Sequence, residues 1–90
     1  MILRQDIEYL LSERAYKYLG LEYQPDCHEK IKQDIKDLFL ETLPIISGYK
    51  YHCDLEVKLN GIYITSIWGS ITLRDKAGAL LANIKINAPL

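Results

Sequence analysis

From position 49 to position 59 the chain alternates without a break. Tyr49, Tyr51, Cys53, Leu55, Val57 and Leu59 fall on one side of an extended backbone, and Lys50, His52, Asp54, Glu56 and Lys58 on the other. A sustained period of two marks a half-buried strand. Asn60-Gly61 comes next, a dipeptide that tolerates the positive φ angles of a type I′ turn, and Ile62-Tyr63-Ile64-Thr65 supplies β-branched and aromatic residues for a returning strand. A two-residue loop sets Leu59 opposite Ile62, Val57 opposite Ile64, Leu55 opposite Ser66 and Cys53 opposite Trp68. That register keeps most apolar side chains on one face, with Cys53 and Trp68 together.

The period changes upstream. Ile7, Leu10, Leu11, Ala15, Tyr18 and Leu19 recur at spacings of three and four, so Ile2–Leu19 reads as one helix, or as two short ones restarting at Ser12-Glu13. Gly20 closes it as a C′ residue, and Leu21–Pro25 is a corner. Asp26, with Glu29 three residues on, makes a variant capping box for a second helix. Its inner stripe is Ile31, Ile35, Leu38, Phe39 and Thr42 or Leu43, and Pro44 ends or kinks it.

Past Gly69 the pattern is less decisive. Ile71-Thr72-Leu73 reads as a short strand. Asp75–Asn83 carries Ala77, Leu80, Leu81 and Ile84 at helical spacing, although Gly78 weakens such a helix by about 1 kcal/mol. The competing reading is a second hairpin turning at Asp75-Lys76-Ala77-Gly78. Ile84–Ile86 is a last strand candidate. The expected architecture is a single α+β domain over residues 1–90. In it, two N-terminal helices pack on a small, mainly antiparallel sheet built around a long hairpin.

Ninety residues, about half of them apolar, support one modest core. A formal charge of −1 with interspersed signs lacks the basic stripe of a nucleic-acid binder, so nucleic acid is not an expected partner. No apolar run approaches the ~20 residues that span a bilayer, and Met-Ile-Leu-Arg-Gln-Asp is not a secretion signal. The expectation is a soluble, cytoplasmic protein, not associated with membrane, with Cys27 and Cys53 as reduced thiols.

No catalytic constellation emerges. Cys27-His28 and His52-Cys53 offer two thiols and two imidazoles, nominally a zinc set, but neighbours on a strand point to opposite faces and neither pair has the two-residue gap of a zinc knuckle. A buried Cys53 beside a solvated His52 is the plainer reading. Cys27, near a helix N-terminus, is a conceivable low-pKa thiol and more simply an ordinary first-turn residue. Seven tyrosines are many for this length, and their apolar bodies and polar tips suit either the rim of the core or a recognition surface. The candidate binding residues are Tyr18, Tyr23, Tyr51 and Trp68.

One longer pattern carries a resemblance. A helix ending Tyr18-Leu19-Gly20 is followed by an aromatic at Tyr23, a helix with Ile31, Ile35 and Leu38, then Pro44, the Tyr49/Tyr51 strand, Gly61 and Ile64, and Leu73, Lys76, Leu80 and Leu81. This resembles the N-terminal part of proteins related to the activation domain of vitamin B12-dependent methionine synthase. The resemblance implies an α+β fold and favours a short third helix over Asp75–Asn83. It further implies a link with corrinoid-enzyme reactivation by S-adenosylmethionine. The family's Arg-x-x-x-Gly-Tyr adenosylmethionine-binding stretch does not occur here, so no cofactor is expected, and Ile45–Gly48 is extra relative to the family pattern.

The resemblance and the lack of a catalytic set together imply a non-catalytic interaction or regulatory module, acting with a corrinoid protein or a partner subunit. The alternative is a small enzyme or ligand-binding protein with a pocket near Trp68 and Cys53. Unpaired strand edges imply a homodimer.

Overall fold

The computed structural model describes residues 4–42 and 48–89. Two helices, α1 (Arg4–Tyr16) and α2 (Cys27–Thr42), precede three strands, β1 (Lys50–Asn60), β2 (Tyr63–Arg74) and β3 (Leu80–Pro89). The strands form one antiparallel meander in the order β1-β2-β3. Both helices lie on one side of it, α1 against β3 and α2 against β1. The fold is α+β, as the two periodicities require.

The helical stripes meet the sheet at the core. Ile7, Leu11 and Ala15 from α1 and Ile31, Ile35 and Phe39 from α2 are buried with Cys53, Leu55, Ile64, Ile67, Ile71, Ile84, Ile86 and Ala88. Burying each large side chain contributes roughly 1.5–3 kcal/mol. Leu10, expected on this stripe, is exposed instead, one position away from the buried Ile7–Leu11–Ala15 line. The first helix is continuous, and three-residue turns extend it from Lys17 to Leu19. Asp26, expected to cap α2, sends its carboxylate to Lys30 Nζ at 3.0 Å, a one-turn ion pair that holds its carboxyl below the usual range. The expected end of α2 at Leu43-Pro44 lies outside the described residues, as do residues 45–47 of the extra segment.

The corner between the helices does more than turn. Gly20 N–H donates to Ile64 O (2.8 Å), Ile64 N–H to Leu21 O (3.0 Å) and Tyr23 N–H to Ile62 O (2.7 Å). Glu22 thus pairs antiparallel with Tyr63, extending the sheet beside the start of β2, where β3 no longer reaches.

Three expectations are corrected. First, the β1–β2 turn sits one residue later than Asn60-Gly61. Asn60 pairs with Tyr63, and Gly61 has φ of 64° while Ile62 stays at negative φ, the pattern of a type II′ turn with glycine first. Thr65 then bulges between the Lys58–Ser66 and Leu59–Ile64 pairs, its hydroxyl donating to Lys58 O at 3.2 Å. Cys53 is consequently opposite Ile71, and Trp68 opposite Glu56. Because side chains alternate with period two, this slip moves Trp68 to the other face of the sheet.

Second, there is no third helix in Asp75–Asn83; the second hairpin forms there. Asp75 N–H donates to Ala79 O and Gly78 N–H to Asp75 O, both at 3.0 Å. The Asp75 carboxylate accepts from the N–H groups of Ala77 and Ala79, both at 2.9 Å. These bonds build a turn with its own side-chain anchor. The last strand is therefore longer than Ile84–Ile86 and includes Leu80 and Leu81.

Third, the sheet edges are not simply open. The N–H groups of Lys85 and Asn87, on the free side of β3, donate to Glu8 Oε2 and Ser12 Oγ of α1, each at 3.0 Å. On the free side of β1, His28 Nε2 of α2 donates to Leu55 O at 2.6 Å, and Cys53 and Leu55 are only 1% and 4% exposed. Helical side chains thus occupy hydrogen-bonding positions that an added strand would need.

Candidate functional site

One face of the sheet packs on the helices, and the other faces solvent. Register assigns its rows across β1, β2 and β3. They are Lys50–Arg74–Leu80, His52–Thr72–Asn83, Asp54–Ser70–Lys85, Glu56–Trp68–Asn87 and Lys58–Ser66–Pro89. Trp68 stands at the centre of this face, on the middle strand, and is 42% exposed. Burying such a ring is worth several times the burial of a small side chain, so leaving it in water on a sheet of polar neighbours calls for a reason. Beside it runs a shallow groove whose polar side chains are Ser70, Asn83, Lys85 and Asn87.

The strand geometry explains why these groups converge. β3 buries Ile84, Ile86 and Ala88 and exposes Asn83, Lys85 and Asn87, so its polar half lies level with Trp68. On β1, His52 Nε2 lies 3.0 Å from Asp54 Oδ1, both well exposed. β1 carries both signs on this face, Lys50 and Lys58 flanking the carboxylates Asp54 and Glu56, whereas β3 carries only Lys85.

The four sequence-derived candidates do not gather at one place. Tyr51 points into the helical side, its ring centroid 6.1 Å from that of Phe39. Tyr18 and Tyr23 are partly buried and pack against the same core. Trp68 alone reaches the outer face. A pocket between Trp68 and Cys53 is ruled out because the sheet separates them, and His52 and Asp54, expected on the far side from Trp68, share its face. Burial also pushes the Cys53 thiol upward, against a lesser opposing pull from Lys32 and Lys36, which disfavours the thiolate a nucleophile needs.

Tyr18 belongs to a polar clamp between the helices. Its hydroxyl donates to Asp34 Oδ2 at 2.6 Å, and Arg14 Nη1 donates to Asp34 Oδ1 at 2.8 Å. Partial burial, then the bond to Asp34, raises the Tyr18 pKa to about 12. The pairing was not legible in sequence, because its members lie 16 and 20 residues apart. The groove residues of β3 had a signal: Ala82–Ala88 alternates small or apolar with Asn83, Lys85 and Asn87, a period-two pattern that competes with the helical spacing of Asp75–Asn83.

His28 is held at β1 and His52 stands on the outer face, and among the described residues no three His, Cys, Asp or Glu side chains cluster as a metal site would require. No described helix is long and apolar enough to cross a membrane. Of the positions that carry the methionine synthase resemblance, Lys76 lies in the second hairpin turn and Leu80 and Leu81 lie in β3 rather than on a helix. Comparison of the chain with protein-family models, with curated proteins and with solved structures finds no match.

Proposed function

We propose that this chain is a non-catalytic interaction module that binds a protein partner through the uncovered face of its sheet. The observation that carries the reading is Trp68, an aromatic anchor at the centre of a flat face and ringed by charged and amide side chains. Aromatic centres with polar rims are the usual anatomy of protein interfaces, where tryptophan is over-represented among the residues that dominate affinity. The buried, upward-shifted Cys53 and the separation of the tyrosines from Trp68 weigh against a small-molecule pocket.

The resemblance to the activation domain of cobalamin-dependent methionine synthase makes a corrinoid protein the first partner to test. Titrating the chain with the cobalamin-binding part of such an enzyme, followed by isothermal titration calorimetry, should give saturable binding that Trp68→Ser abolishes. A thermal-shift series with free cobalamins, S-adenosylmethionine and zinc is the counter-test. A large shift with any small molecule alone would overturn the module reading.

A further inference from the structure

The interaction-module reading leaves open what covers the outer face, and the charge layout selects an occupant. Strand addition is obstructed in mid-strand on both sides, by Glu8 and Ser12 at β3 and by His28 at β1. Through α1 and α2 the helical side is already packed. The broad surface that remains is the outer face.

Its rows are electrically lopsided about β2. Asp54 pairs across Ser70 with Lys85, and Glu56 pairs across Trp68 with Asn87. Consider a second copy stacked face to face about a two-fold axis parallel to β2. Each row then meets itself reversed: Asp54 faces Lys85 of the other copy, Glu56 faces Asn87, Lys58 faces Pro89, and Lys50, whose row ends at Leu80, faces that leucine. The two Trp68 rings meet at the axis. Arg74 alone meets its own charge, at the end of the strand, where its guanidinium is turned to Gly78 O at 3.1 Å. An axis across the strands through Trp68 would instead set Glu56 against Glu56.

We propose that a second copy of this chain occupies the outer face, sheet against sheet, about a two-fold axis parallel to β2, with both Trp68 side chains at the centre and reciprocal Asp54–Lys85 pairs beside them. The inference rests on the interaction-module reading and names its partner as the chain itself. Stacked sheets pack about 10 Å apart, a spacing that Trp68 and the lysines span. Three strands make a face roughly 10 Å wide and 30 Å long, less than the ~800 Å² per partner of a standard interface. The dimer should therefore be micromolar or weaker, sensitive to concentration, and symmetric.

A charge-swap cycle tests it. Sedimentation velocity over low micromolar to millimolar chain should show a reversible monomer–dimer equilibrium, with Trp68 emission shifting to the blue as the dimer fills. Asp54→Lys and Lys85→Asp should each weaken dimerisation by about tenfold or more, since each sets like charges face to face. Combining them should restore it, and Trp68→Ser should abolish it. All four variants alter exposed positions only, and circular dichroism checks that each is folded. A chain that stays monomeric throughout, or a dimer indifferent to Asp54→Lys, overturns the proposal. So does a double variant no better than the singles. Binding of the corrinoid partner that depends on Trp68 in a strictly monomeric chain would refute self-association while sparing the module reading.

Discussion

Replacing Gly69 with alanine tests the centre of the fold. Gly69 lies opposite Leu55 in β1 and Ile86 in β3. A Cβ built there runs into the Asp54 carbonyl oxygen and lies 2.9 Å from both the Asp54 carbonyl carbon and Leu55 Cα. All of these are backbone atoms, so no side chain can swing aside. Ordinary contact for such atoms is about 3.5–4.0 Å, and the two strands would have to separate mid-ladder to provide it. Overpacking of this kind costs about 1–3 kcal/mol, and each weakened ladder bond adds about 1 kcal/mol. A total near 3 kcal/mol would lower Tm by about 12–24 °C in a domain of this size. It would also remove a large part of a stability expected toward the low end of ~5–15 kcal/mol. Urea unfolding followed by Trp68 fluorescence, with thermal melts by circular dichroism, measures the loss. The control is Gly61→Ala, at φ of 64° with no atom within 4 Å of the added Cβ. That change carries only the backbone penalty of holding a Cβ at a glycine-favouring positive φ, about 1–3 kcal/mol. If Gly69→Ala is no more destabilising than Gly61→Ala, the close approach of β1 and β2 at Asp54 is not a feature of the folded protein.

Tyr18 titrates later in the folded state than in the unfolded state, so the stability it contributes is intact below pH 10 and is lost as pH rises from 10 toward about 12. Tyr18→Phe should flatten that part of the stability–pH curve and cost about 1 kcal/mol at neutral pH, read from urea midpoints; an unchanged alkaline slope would contradict the Asp34 bond. Asp75→Ala removes the acceptor of two backbone N–H groups and should cost about 1–2 kcal/mol. It should also speed amide exchange at Ala77 and Ala79, and unchanged exchange there would count against the side-chain anchor of the second turn.

Local periodicity was enough to determine the two helices, the long strand and the α+β class, because amphipathic patterns of 3.6 and 2.0 report which side of an element is buried without reference to its neighbours. Ile31, Ile35 and Phe39, or Cys53 and Leu55, could be assigned to the core from spacing alone. Which face Trp68 occupies could not. That depends on one bulged residue, Thr65, which breaks the alternation of β2 between the buried Ile64 and Ile67; moving the two-residue turn by one position slips the pairing by two and leaves the faces unchanged. The segment after Gly69 was ambiguous for a related reason. Ala77, Leu80, Leu81 and Ile84 fit a helix in isolation, whereas pairing with β2 and the Asp75 turn make the strand. The edge contacts of Glu8 and Ser12 lie 77 and 75 residues from their partners in β3. Such contacts, like the outer face they leave as the broad uncovered surface, exist only once the chain has closed on itself, because they join groups whose local patterns carry no information about one another.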